Sequence, residues 1–310
     1  MKTYDSIFNF SSQKKTILTL GTFDGVHLGH QSILKKVVEA KENNTYESSL
    51  LTFFPHPRMV LQQDTSIKLL NTIDEKAELL DKFGIDNLII HPFDAAFSNL
   101  SAEEFVKEIL IDRLNIHKII IGHDHRFGKN RTADISDLIS FGKKYGFEVE
   151  QISAHEIDEI AISSTKIRKA LMEGNIQLAN QFLGYSYFIS GKVIEGKKIG
   201  RTLGFPTANI QINESYKLLP KNGVYIVSSE INDILYFGMM NIGNNPTLGE
   251  NEQSIEVHYF DMSENIYNEK LKISILEHIR DERKFNSLSD LQAQLEKDKL
   301  FSLNYIQNLK

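Results

Sequence analysis

The chain has 310 residues, 41% of them hydrophobic and 25% charged, which is ordinary globular composition and enough length for two separate cores. A formal charge of −6 with no basic block argues against a nucleic-acid binder but leaves a nucleotide ligand open, since that needs only a local nest of donors. The lack of cysteine excludes disulfides, thiolate catalysis and cysteine zinc sites.

Met1–Phe10 has no basic start followed by an apolar core, so no secretory signal is expected. Apolar runs such as Leu50–Phe54 and Ile119–Ile121 are far too short to span a bilayer. A cytoplasmic protein with no membrane partner is expected.

Up to about Tyr185, short apolar runs alternate with helical patterns. Strands are predicted at Thr16–Leu20, Ser48–Phe54, Asn87–His91, Lys118–Ile121 and Glu148–Ile152. Helices are predicted to begin near His30, Asp74, Ala102 and Ile135, two of them behind capping boxes, Thr72 with Glu75 and Ser101 with Glu104. Gly84 supplies the left-handed residue that ends one of them. Such alternation implies an α/β domain with a parallel sheet, whose ligands sit beyond the carboxyl ends of its strands.

After Tyr185 the texture changes. Ser186–Glu195, Gly223–Ile231, Ile234–Ile242, Ser254–Phe260 and Lys270–His278 read as strands separated by Gly, Asn and Pro turns, with Asn232-Asp233 as a tight hairpin. This half reads as an antiparallel barrel or sandwich. A helix closes the chain from about Leu288, with Leu291, Leu295 and Leu300 near helical spacing. The boundary is expected at Gly184–Ser186, giving domains 1–185 and 186–310.

The first predicted strand runs straight into Gly21-Thr22-Phe23-Asp24-Gly25-Val26-His27-Leu28-Gly29-His30. Glycines let the backbone approach an anion, the N–H groups of a helix start point at it, and two imidazoles add donors for a reacting phosphoryl group. An isolated pair of histidines three apart is more often a surface or capping pair. The flanking glycines after a strand favour the phosphate reading. A metal site is the alternative, with His123-Asp124-His125 as further ligands, although Gly122 and Gly128 mark that segment as a loop.

Further on, Ser163-Ser164-Thr165-Lys166-Ile167-Arg168 opens a helix with anion-friendly caps and an arginine fork. Alone it is equally a capped helix with solvated bases. Beside the first segment it suits the second half of a triphosphate clamp.

In the second half, a glycine-rich stretch with bases, Gly191–Arg201, leads into Leu203–Asn209. Such a stretch suits phosphates, though a plain β-turn is commoner. Thr207 and Asn209, two apart on an extended segment, can present neutral oxygen ligands to Mg²⁺ from one side. Alternation also puts Glu256 and His258 on one face, so both line a cavity or both face water.

Gly21–His30 together with Ser163–Arg168 resembles the nucleotidyltransferase superfamily, specifically its FAD synthetase branch. Phe53–Arg58 and Gly122–Gly128 resemble the same branch, except that His125 stands where Phe is usual and Ala133 near a usual Gly. Pro206-Thr207-Ala208-Asn209 is similar to the signature of riboflavin kinases. Gly223–Tyr225, Asn241–Thr247, Ile255–His258 and Arg280–Phe285 follow in that family's order.

The resemblance implies a Rossmann-like HxGH nucleotidyltransferase domain followed by a six-stranded antiparallel β-barrel with a C-terminal helix. It implies two consecutive reactions: ATP-dependent phosphorylation of riboflavin to FMN by the barrel, then adenylylation of FMN to FAD with loss of pyrophosphate. Mg²⁺ would accompany ATP in both.

In the first domain it implies His27, His30 and Arg168 as catalytic, with Gly21, Phe23, Asp24, Gly25, Ser164 and Thr165 on ATP. Phe54, His56, Pro57, Arg58, Asp124, Arg126 and Phe127 would line the flavin. In the barrel it implies Glu256 as base and Thr207 and Asn209 on the metal. ATP would contact Gly191, Gly196, Lys197, Gly200, Arg201, Gly204, Phe205 and Pro206, and flavin Arg280, Glu282, Lys284 and Phe285.

Two other readings compete: a transferase of the same superfamily acting on another phosphate, and a non-catalytic flavin-binding protein. Intact His27, His30, Thr207, Asn209 and Glu256 speak against the second, because a binder has no need of all five.

Overall fold

The computed structural model describes residues 1–42, 45–61, 66–122, 125–153, 162–196, 199–244 and 253–309. The chain divides into two compact units, Met1–Ser164 and Thr165–Lys310.

The first unit is built on six parallel strands: β1 (Lys2–Tyr4), β2 (Thr16–Leu20), β3 (Glu47–Phe53), β4 (Asn87–His91), β5 (Ile116–Gly122) and β6 (Glu148–Ile152). Their order in the sheet is β1-β4-β3-β2-β5-β6. All five residues of β2 are buried, as expected of a strand covered on both faces. Leu18, Leu51, Ile89, Ile119 and Ile121 meet Val106 and Leu110 in one core.

The expected strands are all present. β1 was not among them; three residues with an exposed pattern carry no readable period, and the strand exists by pairing with β4 at the sheet edge. Both capping boxes form, at Thr72/Glu75 and Ser101/Glu104. The second leads through Ala102–Glu104 into a π-helical stretch, Phe105–Ile111, which periodicity of 3.6 does not anticipate. The chain passes from β2 to β3 on one side, while β5 lies on the other. The order therefore reverses between β2 and β5, where a crevice opens beyond the strand ends.

The second unit begins within the helix Ser164–Met172, and after it the helix Ile176–Leu183 precedes a closed barrel. Its strands are β7 (Phe188–Ile194), β8 (Ala208–Gln211), β9 (Gly223–Ile231), β10 (Ile234–Asn244), β11 (Gln253–Tyr259) and β12 (Lys270–Asp281), in the order β10-β11-β8-β7-β12-β9. The sixth strand, β8, is the one the alternation did not isolate, being four residues long and preceded by Pro206. Asn232 and Asp233 both take positive φ, 51° and 62°, as the β9–β10 hairpin requires.

The closing helix is Leu288–Gln307. Leu288 and Leu300 are exposed; the inward face runs through Leu291, Leu295, Asp298, Ser302 and Ile306. The leucine spacing missed this because polar Asp298 and Ser302 occupy inward positions. Asp298 does so by pairing with Arg280, at 2.8 Å from Nη2.

Candidate active sites

In the first unit, β2 delivers the chain into the tight turn Gly21–Val26. Phe23 and Val26 take φ of 45° and 38°, values that a bulky and a β-branched side chain rarely adopt. Surrounding contacts hold them there. Gly21 N–H donates to Leu51 O at 3.0 Å, Gln31 Nε2 to Val26 O at 2.9 Å, and Lys76 Nζ to Thr22 O at 2.7 Å. Asp24 is 1% exposed, and its carboxylate accepts from the N–H groups of Leu70 and Asn71 at 2.9 and 3.4 Å. Its carbonyl accepts from Ser164 Oγ at 2.8 Å.

His27 caps the helix Leu28–Glu39, and its Nδ1 accepts the His30 N–H at 3.4 Å. In the neutral ring that leaves the proton on Nε2, which can donate. The two imidazoles stack at 3.6 Å between centroids, with Phe23 against His30 at 4.7 Å. Burial pulls the pKa of His27 down to about 4. His30 is also held well below its ordinary value, by burial first and then by His27 and Lys76. Both rings are therefore neutral donors at pH 7.

A cavity of about 530 Å³ opens beside this turn at the switch between β2 and β5. Gly21, Thr22, Phe23 and His30 line one side; Gly122, His125, Arg126, Phe127, Asn130 and Arg131 line another. Four further aromatic residues, Phe53, Phe93, Phe97 and Phe105, line it as well. Their rings meet at 5.3 to 6.0 Å, a box suited to a flat conjugated ligand.

Of the residues expected to line a flavin here, Pro57, Arg126 and Phe127 do line the cavity, whereas Phe54, His56 and Arg58 are not among its walls. His56 Nδ1 instead accepts the Arg58 N–H at 3.1 Å in its own turn. Asp124 lies outside the described residues, as does His123, so the alternative metal set rests on them; among the described residues no group of three His, Asp or Glu gathers. Ala133 is buried and bridges Phe127, so its side chain is accommodated in the loop.

Of the expected clamp, Ser164 reaches the Asp24 carbonyl, as above. Thr165 and Arg168 continue the same helix, exposed and half-buried. Sequence reasoning missed Phe93, Phe97, Phe105 and Lys76. Phe93 and Phe97 could have been found from their place after the carboxyl end of β4. Lys76 could not, since it reads like any charged residue of an amphipathic helix.

In the barrel, Glu256 of β11 stands opposite Asn209 of β8 and Asn241 of β10. Thr207 Oγ1 donates to Glu256 Oε2 at 3.1 Å. The hydroxyl keeps its lone pairs, and with the Asn209 carbonyl it offers the hard neutral oxygens that Mg²⁺ takes alongside phosphates. The donor set fits such an ion. Glu256 and His258 do share a face, both half-buried, with Ile255, Val257 and Tyr259 buried on the other. His258 Nδ1 lies 2.9 Å from Pro206 O, and burial lowers its pKa.

Gly196 packs so closely on the Asn209 amide that a Cβ would overlap it, and Gly200 is similarly tight against Phe205 O. Gly191 packs on β8. Arg201, Pro206 and Thr207 line a cavity of about 500 Å³ together with Tyr259, Met262 and Tyr267. Phe205 is buried and Gly204 exposed in the turn between. Lys197 lies outside the described residues.

Glu282 is exposed and packs on Gly243, and Lys284 is exposed. Phe285 lies under the guanidinium groups of Arg280 and Arg283, at 5.7 and 5.0 Å. Arg280 itself is committed to Asp298.

Comparison with known proteins follows this division. A family model described as FAD synthetase matches residues 9–166, and one described as riboflavin kinase matches 183–306. A bifunctional riboflavin kinase/FMN adenylyltransferase of Listeria monocytogenes is 40% identical over 284 residues, covering 91% of this chain and 90% of the relative. That of Bacillus subtilis is 38% identical over 305 residues, covering 96% and 95%. A crystal structure described as a macrolide-efflux protein from Streptococcus pneumoniae has a TM-score of 0.88 and 30% identity over 98% of both chains. Among the described residues no helix is long and apolar enough to cross a membrane.

Proposed function

The chain belongs to the family of bifunctional riboflavin kinase/FMN adenylyltransferases, and from that premise we propose how its side chains divide the two reactions. The barrel phosphorylates riboflavin to FMN with ATP. The parallel-sheet domain joins FMN to the adenylyl group of a second ATP and releases pyrophosphate. The observation that carries the second assignment is the aromatic cavity opening beside the stacked His27/His30 pair.

In adenylyl transfer an oxygen of the FMN phosphate attacks the α-phosphorus of ATP, and the bond to the β-phosphate oxygen breaks. The nucleophile is already ionised, so no general base is required. What the site must supply is alignment and relief of negative charge. Neutral His27 and His30 donate to the α-phosphate, and Ser164, Thr165 and Arg168 hold the departing pyrophosphate. The aromatic box with Pro57, Arg126 and Phe127 takes the flavin ring.

In phosphorylation the nucleophile is the 5′-hydroxyl of riboflavin, which must lose a proton as it attacks the γ-phosphorus. Glu256 accepts that proton and ADP leaves. Thr207 and Asn209 hold Mg²⁺, which offsets phosphate charge when bound with the nucleotide. Gly196, Arg201 and Pro206 are proposed to contact those phosphates, and Glu282 and Phe285 to border the flavin.

The functional boundary is proposed near residue 185, close to where the riboflavin kinase model begins, at 183. The substrates are small molecules and the setting is proposed to be cytoplasmic, without nucleic acid or membrane as partner.

The test is chromatographic. Pure protein with riboflavin, ATP and Mg²⁺ yields FMN and then FAD. Glu256→Gln blocks FMN formation while leaving FAD formation from supplied FMN; His30→Ala does the reverse. If either change abolishes both steps in a folded protein, the two-site assignment is wrong.

A further inference from the structure

Beneath the Gly21–Val26 turn lies a buried lysine that neither reaction uses as acid, base or phosphate ligand. Lys76 is on the inner face of the Ile73–Lys82 helix and is 4% exposed. Its ammonium donates to Thr22 O at 2.7 Å and to Thr52 Oγ1 at 3.4 Å. Thr52 Oγ1 donates to the same carbonyl at 3.2 Å, so Thr22 O collects two donors from below. Burial pulls the Lys76 pKa down to about 8, with the Asp24 carboxylate opposing the fall. A charge buried in this way is a poor source of stability compared with an apolar side chain of similar length.

The turn above it is the strained one. In a trans peptide the C=O of Thr22 and the N–H of Phe23 point in opposite directions. With the carbonyl drawn inward to Lys76, the Phe23 N–H faces the other way, and it donates to no described residue. Thr22, Phe23 and His30 all line the cavity. The inward pull on one carbonyl thus sets the direction of a free backbone donor, and His30 packs on the Phe23 ring of the same turn.

We infer that Lys76 is a positioning residue for adenylyl transfer, holding the Thr22 carbonyl inward so that the Phe23 N–H and the histidine pair stay aimed at the reacting phosphate. This rests on assigning adenylyl transfer to the first unit.

The experiment compares full-length Lys76→Met and Thr52→Val with the parent chain, reading kcat and KM for FAD formation from supplied FMN, riboflavin phosphorylation, and thermal melting. Lys76→Met is expected to lower kcat for FAD formation by roughly tenfold or more, since small misplacements of aligning groups cost that much. The KM for FMN stays within about twofold, the kinase rate is unchanged, and the melting temperature of the first unit does not fall. Thr52→Val, which removes the lesser donor, shows the same pattern at about two- to fivefold.

A Lys76→Met protein that keeps its kcat overturns the inference. So does a loss of kcat accompanied by a raised FMN KM and lowered melting, which is general loosening. If Lys76→Met does not fold, Thr52→Val decides: lower kcat at unchanged KM and melting supports the inference, unchanged kcat overturns it. A parent chain that makes FMN but no FAD from supplied FMN refutes instead the assignment on which this rests.

Discussion

Replacing Asp298 by alanine is expected to destabilise the barrel strongly while sparing adenylyl transfer. Asp298 is 2% exposed on the inner face of the closing helix. Its carboxylate takes Arg280 Nε at 3.1 and 3.0 Å and Nη2 at 2.8 Å, and Gln294 Nε2 at 2.6 Å. Removing it strands a guanidinium whose side chain is only 18% exposed. Breaking a buried pair from one side costs about 3–5 kcal/mol. Arg280 keeps some solvent and a bond to the Asp281 carbonyl at 3.2 Å, so the lower end, about 3 kcal/mol, applies.

For a unit the size of Thr165–Lys310 that corresponds to roughly 6–12 °C in melting temperature. Thermal melting of the full chain by circular dichroism, with kinase activity followed through the transition, measures it. The double change Arg280→Met with Asp298→Leu should recover most of the loss, because an apolar pair can replace a buried ionic one. If Asp298→Ala instead leaves melting within about a degree and raises the KM for riboflavin, Arg280 acts as a flavin contact, as the family resemblance implies, and the anchoring argument fails.

Three further outcomes can be checked. Gly196→Ala should depress riboflavin phosphorylation by roughly tenfold or more, through displacement of the Asn209 amide, and leave FAD formation from FMN intact. Gly128→Ala meets both a φ of +70° and the Ala102 backbone at 3.0 Å; about 1–3 kcal/mol of loop stability should go, read as a raised FMN KM in FAD formation. His27 should titrate near pH 4 by NMR in the ligand-free protein. Because its folded pKa is depressed, the unfolded chain binds the extra proton between about 6.5 and 4, so roughly 3 kcal/mol of stability is present above pH 6.5 and lost as pH falls to 4. His27→Phe should flatten that acid limb in pH-dependent denaturant melts.

The sequence was most legible where one residue carries one local signal. Capping boxes, Gly84 and the Asn232-Asp233 hairpin depend on neighbours within four positions, and each forms as read. The Gly21–Val26 turn was legible for the same reason, being a single contiguous segment after an apolar strand. The aromatic box was not. Its phenylalanines come from β3, the segment after β4, and the π-helical stretch, and only the parallel strand order brings them together. Lys76 was invisible because burial, not identity, makes it unusual. For Arg280 the motif position implies a flavin contact, which stays an expectation; its partner Asp298 was not legible, lying eighteen residues away on a helix whose inner face is partly polar.

The two sites differ in the way their nucleophiles demand. A phosphate oxygen attacks without surrendering a proton, and the first site as proposed accordingly relies on neutral imidazoles, backbone N–H groups and a buried lysine to orient them, while the carboxylate of Asp24 is turned inward onto Leu70 and Asn71. A hydroxyl must surrender its proton, and the second site places Glu256 within hydrogen-bond reach of the residue proposed to hold the cation. Exchanging the strategies would fail in both directions. A carboxylate facing the first cavity would repel the attacking phosphate, and a barrel without Glu256 would keep its nucleotide but leave riboflavin protonated. For this reason the Glu256→Gln and His30→Ala variants should split the activities cleanly rather than weaken both.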